Sequence, residues 1–343
     1  MTSTAISASP RPNPLTMLRR SGAGPYVFIV VLTIVMFFVL GPRQFINALT
    51  IGAIYALVAL GYTMVYGIIE LINFAHGDVF MVGAFVSLFV LTNILGQEGS
   101  ATSIEQIVFE LTVTFAITMA AIGVLGVVIE RFAYRPLRNA PRLAPLITAI
   151  GVSFILQNII QIIYGPSPIN TPQVIPPTAR VDIGGVSVGW INIFIIVTAI
   201  VLMFGLQLFV SRTKVGRAMR STASDREAAA LMGVDINRTI AITFLIGSAL
   251  AGAAGVVQGL YLGNIDFSLG FQAGLKAFTA AVLGGIGNLT GAAFGGFFIG
   301  FVEVTAGNFG YFVWAQAAVF LILIITLVFR PAGLFGQQLG ERA

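Results

Sequence analysis

Apolar residues fall into runs long enough to cross a lipid bilayer, at 25–40, 44–67, 79–95, 107–130, 143–164, 190–210, 239–262 and 312–329. A spanning helix needs about 20 predominantly apolar residues, and polar residues here collect between the runs rather than alternating within them. A further apolar region at 270–304 is dense in glycine and contains the string LGGIGNLTG at 283–291. Glycine at that density weakens a helix, so this region is expected to dip in and return as two half-helices. The pattern predicts an all-α polytopic membrane protein of about eight transmembrane helices plus re-entrant or broken helices.

Basic residues set the expected orientation. Segment 131–142 carries Arg131, Arg135, Arg138 and Arg142, and segment 211–238 carries Arg212, Lys214, Arg217, Arg220, Arg226 and Arg238. The loops at 96–106, 165–189 and 263–276 hold only Arg180 and Lys276. Lysine and arginine stay on the cytoplasmic side, so both rich segments are expected there. Counting spans then places both termini in the cytoplasm, with Arg19 and Arg20 in a tail at 1–24 and Arg330-Pro331 ending the last span. No small-residue cleavage site follows the first run, where Gly41-Pro42-Arg43 leads into the next, so a retained span is expected rather than a signal peptide. The expected domains are the 1–24 tail, a transmembrane domain at 25–336 with a cytoplasmic loop at 211–238, and a tail at 337–343.

Composition narrows the chemistry. Charged residues make up 9 % of the 343 positions and hydrophobic ones 57 %, whereas soluble domains are about a quarter charged. The chain has no cysteine and one histidine, which removes thiol catalysis and leaves a histidine metal centre without ligands. No phosphate loop of the G-x-x-x-x-G-K-[ST] type occurs, so ATP binding by that mechanism is excluded. No nucleophile–base pair appears, and the chain does not read as an enzyme.

Two interrupted segments are candidates for a translocation pathway. At 73–78, Asn73 and His76 would share a helical face, Gly77 could break the helix, and Asp78 could cap a helix beginning at Val79. Ionisable groups at membrane depth are functional candidates, but an acid such as Asp78 is more often a cap and a histidine such as His76 more often a hydrogen-bonded partner between helices. In the second segment, Gly284, Gly285, Gly287 and Asn288 either free backbone groups for a zwitterion or let helices pack closely. Each break is read as following a small-residue-rich helix, 44–67 or 239–262, and those two helices run in opposite directions. Paired breaks of that kind suggest an inverted repeat. Among the remaining acids, Glu110 is expected to reach water, and Glu70 and Glu303 to pair with polar neighbours.

The loop at 211–238 contains a capping box, with Ser224 at the N-cap, Asp225 next and Glu227 three residues on. The short helix runs to Leu231 and Met232 and stops at Gly233. It exposes those two apolar residues either to a partner groove or to the membrane interface.

Here a resemblance enters. Glu227-Ala228-Ala229, three residues, then Gly233 has the spacing of the EAA loop of ABC-importer permeases, the segment that docks into the ATPase. Strings at 62–69 (YTMVYGII), 72–78 (INFAHGD), 130–138 (ERFAYRPLR) and 276–287 (KAFTAAVLGGIG) resemble the permease subunit of bacterial branched-chain amino acid ABC transporters. The likeness covers 44–336; residues 1–43 have no counterpart in shorter members. It implies a second related permease, two cytoplasmic ATPases, a periplasmic or extracellular substrate-binding protein, and residence in the bacterial cytoplasmic membrane. It implies no cofactor in this chain, ATP being hydrolysed by the partners. Leucine, isoleucine and valine are the family's default substrates, with urea and short-chain amides as an alternative. A self-sufficient secondary transporter is the competing class, and it would place more coupling carboxylates at the midplane.

Overall fold

The computed structural model describes residues 24–336 apart from Ile72, Glu98, Thr102, Asn139 and Arg142. The expectations for Arg19, Arg20, Arg142, the N-terminal tail before Gly24 and the 337–343 tail lie outside these residues. Among the described residues, eight helices are long and apolar enough to cross a membrane. The first of them, Gly24–Ile69, is two rods: Gly41 takes φ 72° and ψ 163°, and Pro42 follows it. A left-handed glycine before a residue with no N–H ends one helix and starts the next. We label the rods α1 (24–40) and α2 (42–69).

The next helices are α3 (His76–Phe89, continued by a π-turn at Val90–Ile94), α4 (Ile104–Ile129, extended through Glu130–Tyr134 and Arg135–Leu137) and α5 (Leu143–Tyr164). Short strands β1 (Ile169–Asn170), β2 (Arg180–Ile183) and β3 (Val186–Gly189) precede α6 (Trp190–Arg212). Two short helices follow, α7 (Lys214–Ser224) and α8 (Arg226–Leu231), then α9 (Ile236–Leu262) and β4 (Asn264–Ile265). The chain closes with α10 (Leu269–Gly284), α11 (Leu289–Asn308) and α12 (Phe312–Phe329).

Packing reveals two interlocked halves of opposite direction, α2–α5 and α9–α12. α2 lies along α11 and α4 along α9, while α3 packs on α9 and α10 on α2. Small residues permit these close approaches, as in membrane helix pairs generally: Gly300 of α11 sits against the Gly52 backbone of α2, and Gly126 of α4 against Ser248 of α9. α3 and α9 form the buried centre, where Phe80, Met81 and Phe244 are enclosed, while α5, α6 and α12 show long apolar faces outward.

The repeat differs from the sequence expectation at its second break. The counterpart of the interruption before α3 is the segment 263–268 before α10, not 284–291. Gly263 stops α9 in a left-handed C-cap (φ 71°), and β4 there pairs antiparallel with β1, Ile169 opposite Ile265. The region 270–304 accordingly does not form two half-helices around its glycines. α10 has 16 residues and α11 has 20, and α11 is itself long enough to span. Lys276 lies within α10 rather than in a loop.

Candidate translocation pathway and coupling helix

α2 ends at Ile69, and Glu70 takes φ 55°, a rare conformation for a side chain other than glycine. The chain then turns back into the bundle, so that α3 starts deep inside it. His76, its first residue, lies against Gly61 of α2, which itself packs on Gly247 of α9. Gly61 precedes the end of α2 by eight residues, or about 12 Å of helix. The start of α10 crosses the start of α3 at that depth. A Cβ on Gly77 would overlap the Gly270 carbonyl oxygen and stand 2.8 Å from the Gly274 Cα; a Cβ on Gly270 would stand 2.6 Å from Asp78 Oδ1. Only glycine allows this contact, and it brings two positive helix ends together.

Asp78 sits inside the first turn of α3, so the expected cap at Val79 is replaced by a different role. Its carboxylate, 1 % exposed, accepts hydrogen bonds from Ser153 Oγ and from Gln157 Nε2 (2.9 Å), both on α5. Two charge-relieving donors make a carboxylate tolerable at this depth. His76 packs edge-on to Tyr62, ring centroids 4.7 Å apart, and its Nε2 is buried without a hydrogen-bond partner among the described residues. Asn73 Oδ1 accepts from Tyr134 Oη at 2.9 Å, tying the break to the end of α4.

A second polar group links α10 to α11 and α2. Lys276 Nζ is 2.7 Å from Glu303 Oε1, and Tyr55 Oη donates to Glu303 Oε2 at 2.7 Å. Sequence reasoning left Glu303 without a named partner because Lys276 reads as a loop residue there. Ser153 and Gln157 were also missed. They are a polar i, i+4 pair on one face of α5, a spacing that could have found them. Glu110 is buried and accepts from Gln106 Nε2, one turn earlier on α4, at 2.7 Å, so it does not reach water as expected.

Gly284, Gly285, Gly287 and Asn288 lie elsewhere, at the end of the bundle that carries the arginine-rich loops. Gly284 and Gly291 bring the α10 and α11 backbones into contact, and Gly285 (φ 103°) abuts the 332–336 backbone. Asn288 caps α11 by accepting from Gly291 N–H at 3.0 Å, and its Nδ2 donates to the Phe335 carbonyl. Gly287 approaches Gly67 at the end of α2, beside Met219 and Arg220 of α7.

The α7–α8 pair stands at that same end. Ser224 is the last residue of α7, and the N-cap of α8 is Asp225, whose Oδ1 accepts from Ala228 N–H at 3.0 Å. This corrects the expected cap by one residue: the chain between the two helices is extended only at Asp225, leaving Ser224 helical. Glu227 occupies the first turn, and Gly233 (φ 85°) stops the helix by donating to the Ala230 carbonyl. Ala229 faces inward, whereas Leu231 and Met232 are 89 % and 85 % exposed. Arg226 reaches back to donate to the Ile68 carbonyl at 2.9 Å, one residue before α2 ends. Arg138, ion-paired with Glu130, also bonds Asn237 Oδ1 at 2.6 Å and joins α4 to the start of α9.

Comparisons with known proteins accord with this arrangement. The family described as branched-chain amino acid transport system, permease component, matches residues 44–328. The high-affinity branched-chain amino acid transport system permease protein BraD of Pseudomonas aeruginosa is 41 % identical over 303 residues, covering 88 % of this chain and 97 % of its own. The corresponding protein LivH of Escherichia coli K12 is 38 % identical over 306 residues, with the same coverage of both chains. The fructose import permease protein FruG of Bifidobacterium longum is 23 % identical over 332 residues, covering 90 % and 91 %. No solved structure matches the chain. With a family match over residues 44–328 and two relatives near 40 % identity, the chain belongs to the permease-component family of branched-chain amino acid transport systems.

Proposed function

We propose that the chain is a transmembrane subunit of an ABC importer that moves branched-chain amino acids across the bacterial cytoplasmic membrane. Its motor is external: two ATPase subunits on the cytoplasmic side, with a second, related permease beside it and a soluble binding protein delivering substrate from outside. The chain itself catalyses no reaction and holds no cofactor. Both termini and the arginine-rich end are assigned to the cytoplasm on the positive-inside rule.

The observation that carries this reading is α8. It is capped at both ends, presents Leu231 and Met232 outward, and is tied through Arg226 to the last turn of α2. Apolar side chains held in that way on a short exposed helix fit a groove on another protein. Movement of α8 would be passed by Arg226 to the end of α2, and from there to the break at 70–75 and the buried start of α3. The pathway roles of Asn73, His76, Gly77 and Asp78 belong to this proposal. Gly284, Gly285, Gly287 and Asn288 serve instead to pack the α10–α11 turn beneath the coupling loop.

Reconstitution in liposomes tests the reading. The complete complex with its binding protein should import leucine when ATP is supplied inside the site of hydrolysis, and should not import urea. Leucine flux through this chain in the absence of any ATPase would overturn it in favour of a secondary transporter, and urea uptake would reassign the substrate.

A further inference from the structure

Between the middle of α5 and the start of α10 lies a cavity of about 530 Å3, within the range of small-molecule sites. Phe74, Phe154 and Phe271 supply apolar walls, and Ser153, Gln157 and Gln272 supply polar edges. Ser153 is the eleventh of the 22 residues of α5, which puts the cavity at mid-depth of that span. Asp78 lies directly behind it, bonded to Ser153 and Gln157. Gln157 spends its Nε2 on Asp78, and its Oε1 has no hydrogen bond among the described residues.

The open side of the cavity is rimmed by exposed Phe154 and Phe271, with one polar side chain between the helices. Gln272 is exposed there, and an amide at mid-depth with no partner costs several kcal/mol in hydrocarbon. The other exposed face of α5 presents Ile155, Ile159 and Ile162 together with Asn158, whose Nδ2 donates to the Phe154 carbonyl of the same helix. The unpartnered Gln272 amide favours a path or a partner over lipid on the open side.

We infer that this cleft is a substrate subsite of the translocation pathway, taking a zwitterionic amino acid with a branched aliphatic side chain. Its ammonium is held by the Asp78–Ser153–Gln157 group, its carboxylate by the Gln272 amide, and its side chain among the three phenylalanines. The second permease closes the open side. The inference rests on the importer reading above and adds where within the chain the cargo passes.

The absence of cysteine makes the test direct. In the reconstituted complex, Ile150→Cys introduces one thiol on this chain at the cavity wall, and its labelling by a methanethiosulfonate reagent is timed with and without L-leucine. At leucine about four times its Kd, labelling should slow about fivefold, while glycine at equal concentration has a smaller effect. Phe271→Ala should raise phenylalanine uptake relative to leucine several-fold, whereas a purely structural defect would lower both alike. If the wild-type complex imports leucine but labelling is unaffected by it and Phe271→Ala leaves the ratio unchanged, the subsite is wrong and the importer reading stands. If the wild-type complex imports no leucine, both fall.

Discussion

Two regions with similar sequence texture, each short, small-residue-rich and flanked by polar side chains, behave in opposite ways. At the crossing of α3 and α10, backbones meet through Gly77 and Gly270, and the Asp78 carboxylate is fully engaged by α5. At α8, the helix is completed by its own caps, yet two apolar side chains point away from the bundle. The Asp78 carboxylate finds its partners within this chain, whereas Leu231 and Met232 of α8 find none among the described residues. Arg226, hydrogen-bonded to the Ile68 carbonyl, links α8 to the end of α2 that leads into the crossing.

Substitutions can break this contrast. The largest loss of stability is expected where a charge is stranded inside the bundle. Glu303→Gln leaves the Lys276 ammonium, 14 % exposed, without its counter-ion and should cost about 3 kcal/mol, read as a lowered Tm in detergent. Adding Lys276→Met should recover much of it. Gly77→Ala comes next: its methyl group meets backbone rather than a mobile side chain, so overpacking should cost about 2 kcal/mol and abolish uptake by protein that still inserts. Gly287→Ala sharpens the contrast, because the site is open and only its φ of 91° is unfavourable. A loss of about 1 kcal/mol with uptake retained is expected there. The smallest effect on stability is at α8, where Leu231→Ser with Met232→Ser should stay within about 0.5 kcal/mol of the parent. Uptake and ATPase stimulation should nevertheless collapse, a separation that no substitution at the crossing should show.

Most of the fold was legible because lipid demands long apolar runs, and the helices α2, α5, α6, α9 and α12 begin and end within a few residues of those runs. The kink at Gly41-Pro42 was legible for the same reason that glycine and proline punctuate helices anywhere. What the sequence concealed was depth. Both 73–78 and 284–291 read as interruptions of apolar runs, but one segment is pulled into the bundle by Asp78, Asn73 and their distant partners, and the other is a turn covered by the 331–336 segment. Those partners, Ser153, Gln157, Tyr134 and Phe335, are separated from the motifs by 47 to 79 positions, and no local pattern reports them. Lys276 was misplaced because a single lysine near a helix end reads as a loop charge until its glutamate is found across the bundle.

The most direct measurement places a photoactivatable cross-linker on Met232→Cys in the assembled complex and identifies what it captures with and without ATP. A bond to the nucleotide-hydrolysing subunit, with a yield that changes when ATP is bound, is the predicted result. Capture of lipid alone, in a complex that still imports leucine at the parent rate, would contradict it.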